Sequence, residues 1–275
     1  MLYSALAEAG QPFPLLSPNL IPIGMAPLLG YTRSRLGAHH LLITGDAQAP
    51  VLAAGFPKVK VIPLVSPALG AAFVELILLF EQEDGSASFP ESDLETFIYV
   101  LEGSCTVDAG PAQVKRMAAG GYLFIPARHA CALSGPEKNS RVLVFQRKYK
   151  EAPEVAAPRM IVGRSGQIQA QPYGGDPDAR IQPFLPDEPT FDMAVSLFTL
   201  QPGASLPQVA VHGAEHGILL TQGQGIARVE DSWYPVKEGD ALWIGAYAPQ
   251  WFVATGKTPM QFLFFRESNR IPTLA

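Results

Sequence analysis

Two of the five histidines, His212 and His216, stand four residues apart in GASLPQVAVHGAEHGILLTQGQG, the stretch from Gly203 to Gly225. Two imidazoles ahead of a short apolar run and a glycine turn can serve a divalent metal ion if further donors join them. They can equally be polar side chains that line a pocket. In an extended strand alternate residues face the same way. Gln208, Ala210 and His212 would then share a face, and His216 keeps that parity beyond a turn. Glu215 has the opposite parity and points away. What the pair can do depends on the strands that bring other groups to this face.

Those positioning elements read as short strands. The chain holds 25 Gly and 26 Pro without low-complexity periodicity, which suits many turns between short extended runs. From Ala71 onward AAFVELILLFEQ, TFIYVLEG, CTVDAG, GYLFIP and RVLVFQRKY are apolar or alternating runs closed by Gly, Pro, Asp or Ser. EAPEVAAPRMIVGRSGQIQAQPYGGDPDA reads as a connector. The pattern then restarts with FDMAVSLFTLQPG, QVAVHG, HGILLTQGQG, IARVED, ALWIGAY, QWFVATG and MQFLFFRE. No segment sustains a helical period over three turns, so the expected class is all-β.

The restart is an internal repeat. ETFIYVLEGSCTVDAG lies over EHGILLTQGQGIARVED with Gly103 on Gly223, 120 residues apart, and AGGYLFIPARHAC lies over EGDALWIGAYAPQ with Cys131 on Gln250, 119 apart. Two tandem barrels follow, residues 66–150 and 181–275, with an irregular N-terminal arm (1–65) and a linker (151–180). His212, His216 and Gln250 fall opposite Ser92, Thr96 and Cys131, so the first barrel is expected to lack metal ligands and to be structural. His129, two residues before Cys131, would share its strand face without a partner. Of the paired His39 and His40, strand alternation leaves at least one facing solvent. Trp233, Trp243 and Trp251 read as barrel packing.

The block G-x6-A-x-H-x3-H-x6-G (Gly203, Ala210, His212, His216, Gly223), followed by G-D-x4-G-x4-Q (Gly239 to Gln250), resembles the paired motifs of the cupin superfamily. The whole chain resembles more closely the two-barrel (S)-ureidoglycine aminohydrolases of purine (allantoin) breakdown. The stretches that carry this are GYTRSRLGAHHLLIT, ETFIYVLEGS, GGYLFIPA, FDMAVSLFTLQPGAS, EHGILLTQGQG, WYPVKEGD, IGAYAPQ and FFRESNR. The resemblance implies two jelly-roll barrels and Mn²⁺ held by His212, His216 and Gln250. It also implies hydrolytic release of ammonia from (S)-ureidoglycine to give (S)-ureidoglycolate, and a homo-oligomer. The sequence departs from the family pattern where a metal-binding glutamate is expected and Ala210 stands. Ala227 and Phe262 take the places of tyrosines, and Arg266 that of a lysine. Phe262, Phe264 and Arg266 share parity on one strand, an apolar wall ending in a guanidinium that can take a substrate carboxylate bidentately. The alternative is a catalytically impaired protein of the same build that binds a small carboxylate or ureide.

Other classes are excluded on composition. A net charge of −5 with no Lys/Arg run argues against a nucleic-acid surface. No apolar run approaches a membrane span, and the N-terminus lacks a secretion signal, so a cytoplasmic protein is expected. Cys105 and Cys131 are too few for a disulfide framework and read as buried free thiols.

Overall fold

Short runs dense in Val, Ile, Leu and Phe, each closed by a turn residue, form antiparallel strands throughout the computed structural model, which describes residues 32–110 and 115–270. The first 31 residues of the expected arm lie outside the described residues. A seven-stranded sheet runs in the order Ile161–Arg164, Gly121–Ile125, Leu94–Glu102, Ser140–Lys148, Phe73–Phe80, Lys60–Val65, Val51–Leu52. An eight-stranded sheet runs Arg35–Leu36, His40–Ile43, Ala241–Ile244, His216–Gln222, Met260–Glu267, Met193–Leu200, Asp176–Pro183, Gln171–Tyr173. A four-stranded sheet (Ala87–Phe89, Cys131–Ser134, Ser104–Asp108, Lys115–Ala118) closes the first barrel. A three-stranded sheet (Ser232–Lys237, Gln224–Val229, Gln250–Thr255) closes the second.

The duplication is reproduced strand by strand. Phe73 and Met193, Ser104 and Gln224, Gly121 and Ala241, and Ser140 and Met260 open equivalent strands, each pair 120 residues apart. Gly103 and Gly223 hold the same left-handed turn, at φ of 72° and 74°, which a side chain would strain. The repeat also reaches further back than its sequence signal. Gly45 and Ser165 open matching 3₁₀ turns, and Val51 and Gln171 open matching strands, again 120 apart.

This changes the expected boundaries. The strand His40–Ile43, placed in the arm, pairs with Ala241–Ile244 of the second barrel, while Ile161–Arg164, placed in the linker, pairs with Gly121–Ile125 of the first. Each repeat therefore lends its leading strand to the other barrel. Arg33 fixes the first exchange by gripping Asp240 bidentately at 2.7 and 2.9 Å. His40 adds contacts to Glu230 and to the Tyr234 hydroxyl, both at 2.7 Å. Lys60–Val65 and Asp176–Pro183 likewise belong to the large sheets rather than to arm and linker.

Strand alternation gives each large sheet two apolar faces, and so three core layers. The first barrel's interior is built from residues such as Val74, Leu76, Ile98, Cys105, Cys131 and Leu133, and the second's from Ile218, Leu220, Phe252 and Phe262. Between the two large sheets lies a third layer, in which Phe265 packs tilted on Phe73 and stacked on Phe145, with centroids 4.4 and 5.1 Å apart. Arg147 bridges the barrels as well, donating to Glu267 Oε1 at 2.8 Å. Both cysteines are free and buried, and burial raises their pKa to about 11 (Cys105) and about 12 (Cys131), so they are inert thiols.

Gly217, whose missing side chain faces this middle layer, marks its closest approach. A Cβ there would meet Phe73 Cε2 at 2.7 Å and Glu75 Oε2 at 2.8 Å. Gly217→Ala should therefore destabilise the fold by about 1–3 kcal/mol, read as a lower urea midpoint; an unchanged midpoint would refute this packing. Glu75 is itself fully buried, and neither carboxyl oxygen has a hydrogen-bond partner among the described residues. Burial holds its pKa well above the usual carboxylate range. The native state thus keeps a proton that the unfolded chain releases above its ordinary pKa, so stability falls as pH rises through and beyond that value. Glu75→Gln should remove this decline: urea midpoints of the two proteins should converge near pH 4 and separate in favour of the variant toward pH 8. Parallel pH curves would contradict a buried neutral Glu75.

Candidate active site in the second barrel

Strand register sets the site out in rows across the inner face of the eight-stranded sheet. His216, Arg266 and Ala194 stand side by side on adjacent strands. The next row is Ile218, Phe264, Ser196 and Pro183, and the third is Leu220, Phe262, Phe198 and Ile181. Successive rows are about 7 Å apart, two residues along a strand. Facing them, the three-stranded sheet brings in Gln250 and Phe252. Arg266, Phe264, Phe262, Gln250 and Phe252 enclose a pocket of about 560 Å³ lined also by Ala210, His212, Tyr173, Asp187 and Ser268, while His216 is buried against Phe264 and does not itself line it.

The polar row is electrostatically distinctive. His216 is 1% exposed, and neither of its ring nitrogens has a hydrogen-bond partner among the described residues; the same holds for Gln250 Oε1. His212 sits edge-on to His216 with ring centroids 5.3 Å apart. Burial, then His212 and Arg266, lower the His216 pKa to about 3. His212 is lowered too, by such burial as it has and by Arg266. Both imidazoles are therefore neutral at pH 7 and have lone pairs to offer. Half-buried Arg266 donates only to the Glu267 carbonyl and has no carboxylate partner among the described residues. A pocket-facing guanidinium without a counter-charge is a receptor for an anion.

The donors present fit a divalent cation. Unpartnered buried nitrogen and oxygen atoms are costly unless a ligand satisfies them, and His216 and Gln250 contribute such atoms beside His212. All three donors are neutral. Among the described residues no group of three or more His, Cys, Asp and Glu side chains is placed to hold a metal, so Gln250 would be the third ligand. Neutral ligands leave an ion its full charge, which weakens binding and strengthens Lewis acidity.

His212, Gln250, Phe264 and Arg266 line one pocket, and His216 lies beside them with its ring 5.3 Å from His212 and 4.8 Å from Phe264. Phe262 lines the same pocket while packing on Phe198 and Phe252, at 5.1 and 5.3 Å. The parity argument for Gln208 fails. The segment bridges the sheet at Ser205, opposite Val253, and at Ala210, opposite Gln250, and the Leu206 N–H also donates to the Phe252 carbonyl at 2.9 Å. Five residue steps span what the partner covers in three, so the chain bulges around Pro207, which has no N–H to pair. Gln208 ends exposed on an outer groove, and His212 lies in a turn at the pocket mouth rather than on a strand. Glu215 does point away from the site; its Oε2 accepts from the Ala72 amide at 2.9 Å and the Trp243 indole at 3.2 Å.

Other placements vary. His39 is exposed and His40 buried, as alternation requires. His129 precedes the strand Cys131–Ser134 and is exposed rather than sharing its face. Trp243 packs between the barrels, but Trp233 is 58% exposed with Arg228 over its ring, since its strand's outer face is open. In the first barrel the places of His216 and Arg266 belong to Thr96 and Gln146, which are buried and hydrogen-bonded to each other at 2.9 Å. Asp187, Tyr173 and Ser268 were not foreseen as pocket residues. Asp187, the one carboxylate among the described lining residues, comes from a DEP turn that carries no periodic signal.

A barrel of this topology with imidazoles facing its mouth is a cupin barrel, and the cupin-domain family model matches residues 196–266. A rice protein named "Probable (S)-ureidoglycine aminohydrolase" is 33% identical over 94% of this chain and 82% of its own length. The (S)-ureidoglycine aminohydrolase of Arabidopsis thaliana is 31% identical over 93% of this chain and 85% of its own. The crystal structure of the Escherichia coli protein Ylba superposes with a TM-score of 0.78 at 26% identity, covering 90% of this chain and 99% of that one. The chain belongs to the (S)-ureidoglycine aminohydrolase family. Among the described residues no helix is long and apolar enough to cross a membrane.

Proposed function

We propose that the protein hydrolyses (S)-ureidoglycine, releasing ammonia and giving (S)-ureidoglycolate, in the second-barrel pocket. The observation that carries this reading is the paired row His216–Arg266 together with the unpartnered ring nitrogens of His216 and Oε1 of Gln250, in a chain that aligns along most of its length with relatives bearing that name. Arg266 takes the substrate carboxylate and so fixes the α-carbon relative to the histidines. His212, His216 and Gln250 would hold Mn²⁺, which supplies Lewis-acid polarisation of the groups bound to it. The bond that breaks joins the α-carbon to the amine nitrogen; water supplies the new hydroxyl and a proton to the leaving ammonia. The phenylalanine wall limits water along the rows next to Arg266, and the neutral imidazoles add no positive charge of their own.

Spontaneous loss of ammonia passes through a planar imine and gives both hands of the product. The test is chiral analysis of ureidoglycolate formed from freshly generated substrate with the protein and Mn²⁺. An excess of the (S) product supports the reading, and a racemic product indistinguishable from the protein-free control overturns it.

A further inference from the structure

We propose that this pocket takes carboxylates with an apolar, ring-sized substituent, the chemical class being N-carbamoyl or N-acyl α-amino acids with aromatic or branched side chains. The inference rests on Arg266 as carboxylate receptor, the reading given above, and extends it to what lies beyond the carboxylate.

Three observations point the same way. The first is the row order: one step of about 7 Å from Arg266 leads to Phe264, and a second to Phe262 and Phe198, with no charged residue in either row. A carboxylate held by Arg266 therefore directs the rest of its molecule along an aromatic wall, whose members interlock (Phe198 and Phe264 edge-on at 5.4 Å, His216 stacked on Phe264 at 4.8 Å). The second is size. A volume of about 560 Å³ lies within the range of roughly 300–1,000 Å³ found for drug-sized ligands, and a glycine ureide would leave most of it wet. The third is the rim. A second depression of about 370 Å³ shares Tyr173, Leu206, Ala210 and His212 with the pocket and is lined also by Val209 and Val211, which are 40% and 54% exposed. Ala210 lines both spaces, and its methyl group takes less room beside them than a longer side chain would. Exposed valines at the mouth of an aromatic pocket give an apolar substituent somewhere to go.

Titration calorimetry of the full chain with N-carbamoylglycine and with N-carbamoyl-DL-phenylalanine separates the two claims. The expected result is at least tenfold tighter binding of the phenylalanine derivative, loss of both ligands in Arg266→Met, and a ratio that falls toward one in Phe264→Ser. If the glycine derivative binds as tightly or more tightly, the apolar specificity is overturned while Arg266 keeps its role. If neither carboxylate binds, or if Arg266→Met binds them unchanged, the carboxylate reading fails and this inference with it.

Discussion

Replacing Ala210 with glutamate is expected to raise the affinity for Mn²⁺ by about a hundredfold. Ala210 and Gln250 exchange both backbone hydrogen bonds at 2.9 Å, so their side chains stand together, and both line the pocket. A carboxylate introduced there joins three neutral donors and supplies the negative charge they lack. Unit charges about 4 Å apart attract by roughly 4 kcal/mol at an effective dielectric near 20; desolvating the carboxylate takes back part of this, leaving the ~2.7 kcal/mol that a hundredfold requires. The Arg266 guanidinium, close enough to lower both histidine pKa values, makes the neutral site weaker still. Titration of metal-free wild type and variant with Mn²⁺ checks this directly. Equal affinities would mean that His212, His216 and Gln250 do not converge on an ion.

Arg266→Met is expected to lower kcat/KM for the ureide substrate by about a hundredfold or more, with most of the loss in KM. A bidentate guanidinium–carboxylate pair in a partly desolvated pocket is among the stronger polar contacts, and methionine keeps the apolar stem while deleting the charge. Because Arg266 has no acidic partner among the described residues, its removal strands no buried carboxylate, and the thermal midpoint should hardly move. Arg266→Lys should recover part of the binding, since it restores the charge without the fork. A variant with wild-type KM would place the carboxylate elsewhere.

What the sequence revealed and what it hid differ in kind. The duplication was legible because turn glycines such as Gly103 and Gly223 are needed at fixed backbone geometry, so they recur at the repeat spacing. The row of Phe262, Phe264 and Arg266 was legible because an uninterrupted strand has a strict period of two. The exchange of leading strands was not. HLLI and IVGR are short apolar runs whose partners are set by packing between barrels, a tertiary fact with no local signature. Parity also failed where the strand did: the bulge around Pro207 turned Gln208 outward and left His212 in the pocket for reasons of path rather than periodicity. Glu75 shows a third kind of gap. Nothing in FVELILLF tells its glutamate from a solvent-facing one until the second large sheet is laid over it.

The central claim is that the second-barrel pocket is a working hydrolytic site although Ala210 stands where an acid is expected. Its most direct measurement is the initial rate of ammonia release from freshly generated (S)-ureidoglycine, with protein stripped of metal and then resupplied with Mn²⁺. The account predicts a rate above the spontaneous background that rises with Mn²⁺ and collapses in His216→Ala. A rate equal to background at saturating Mn²⁺, with the protein folded, would contradict it.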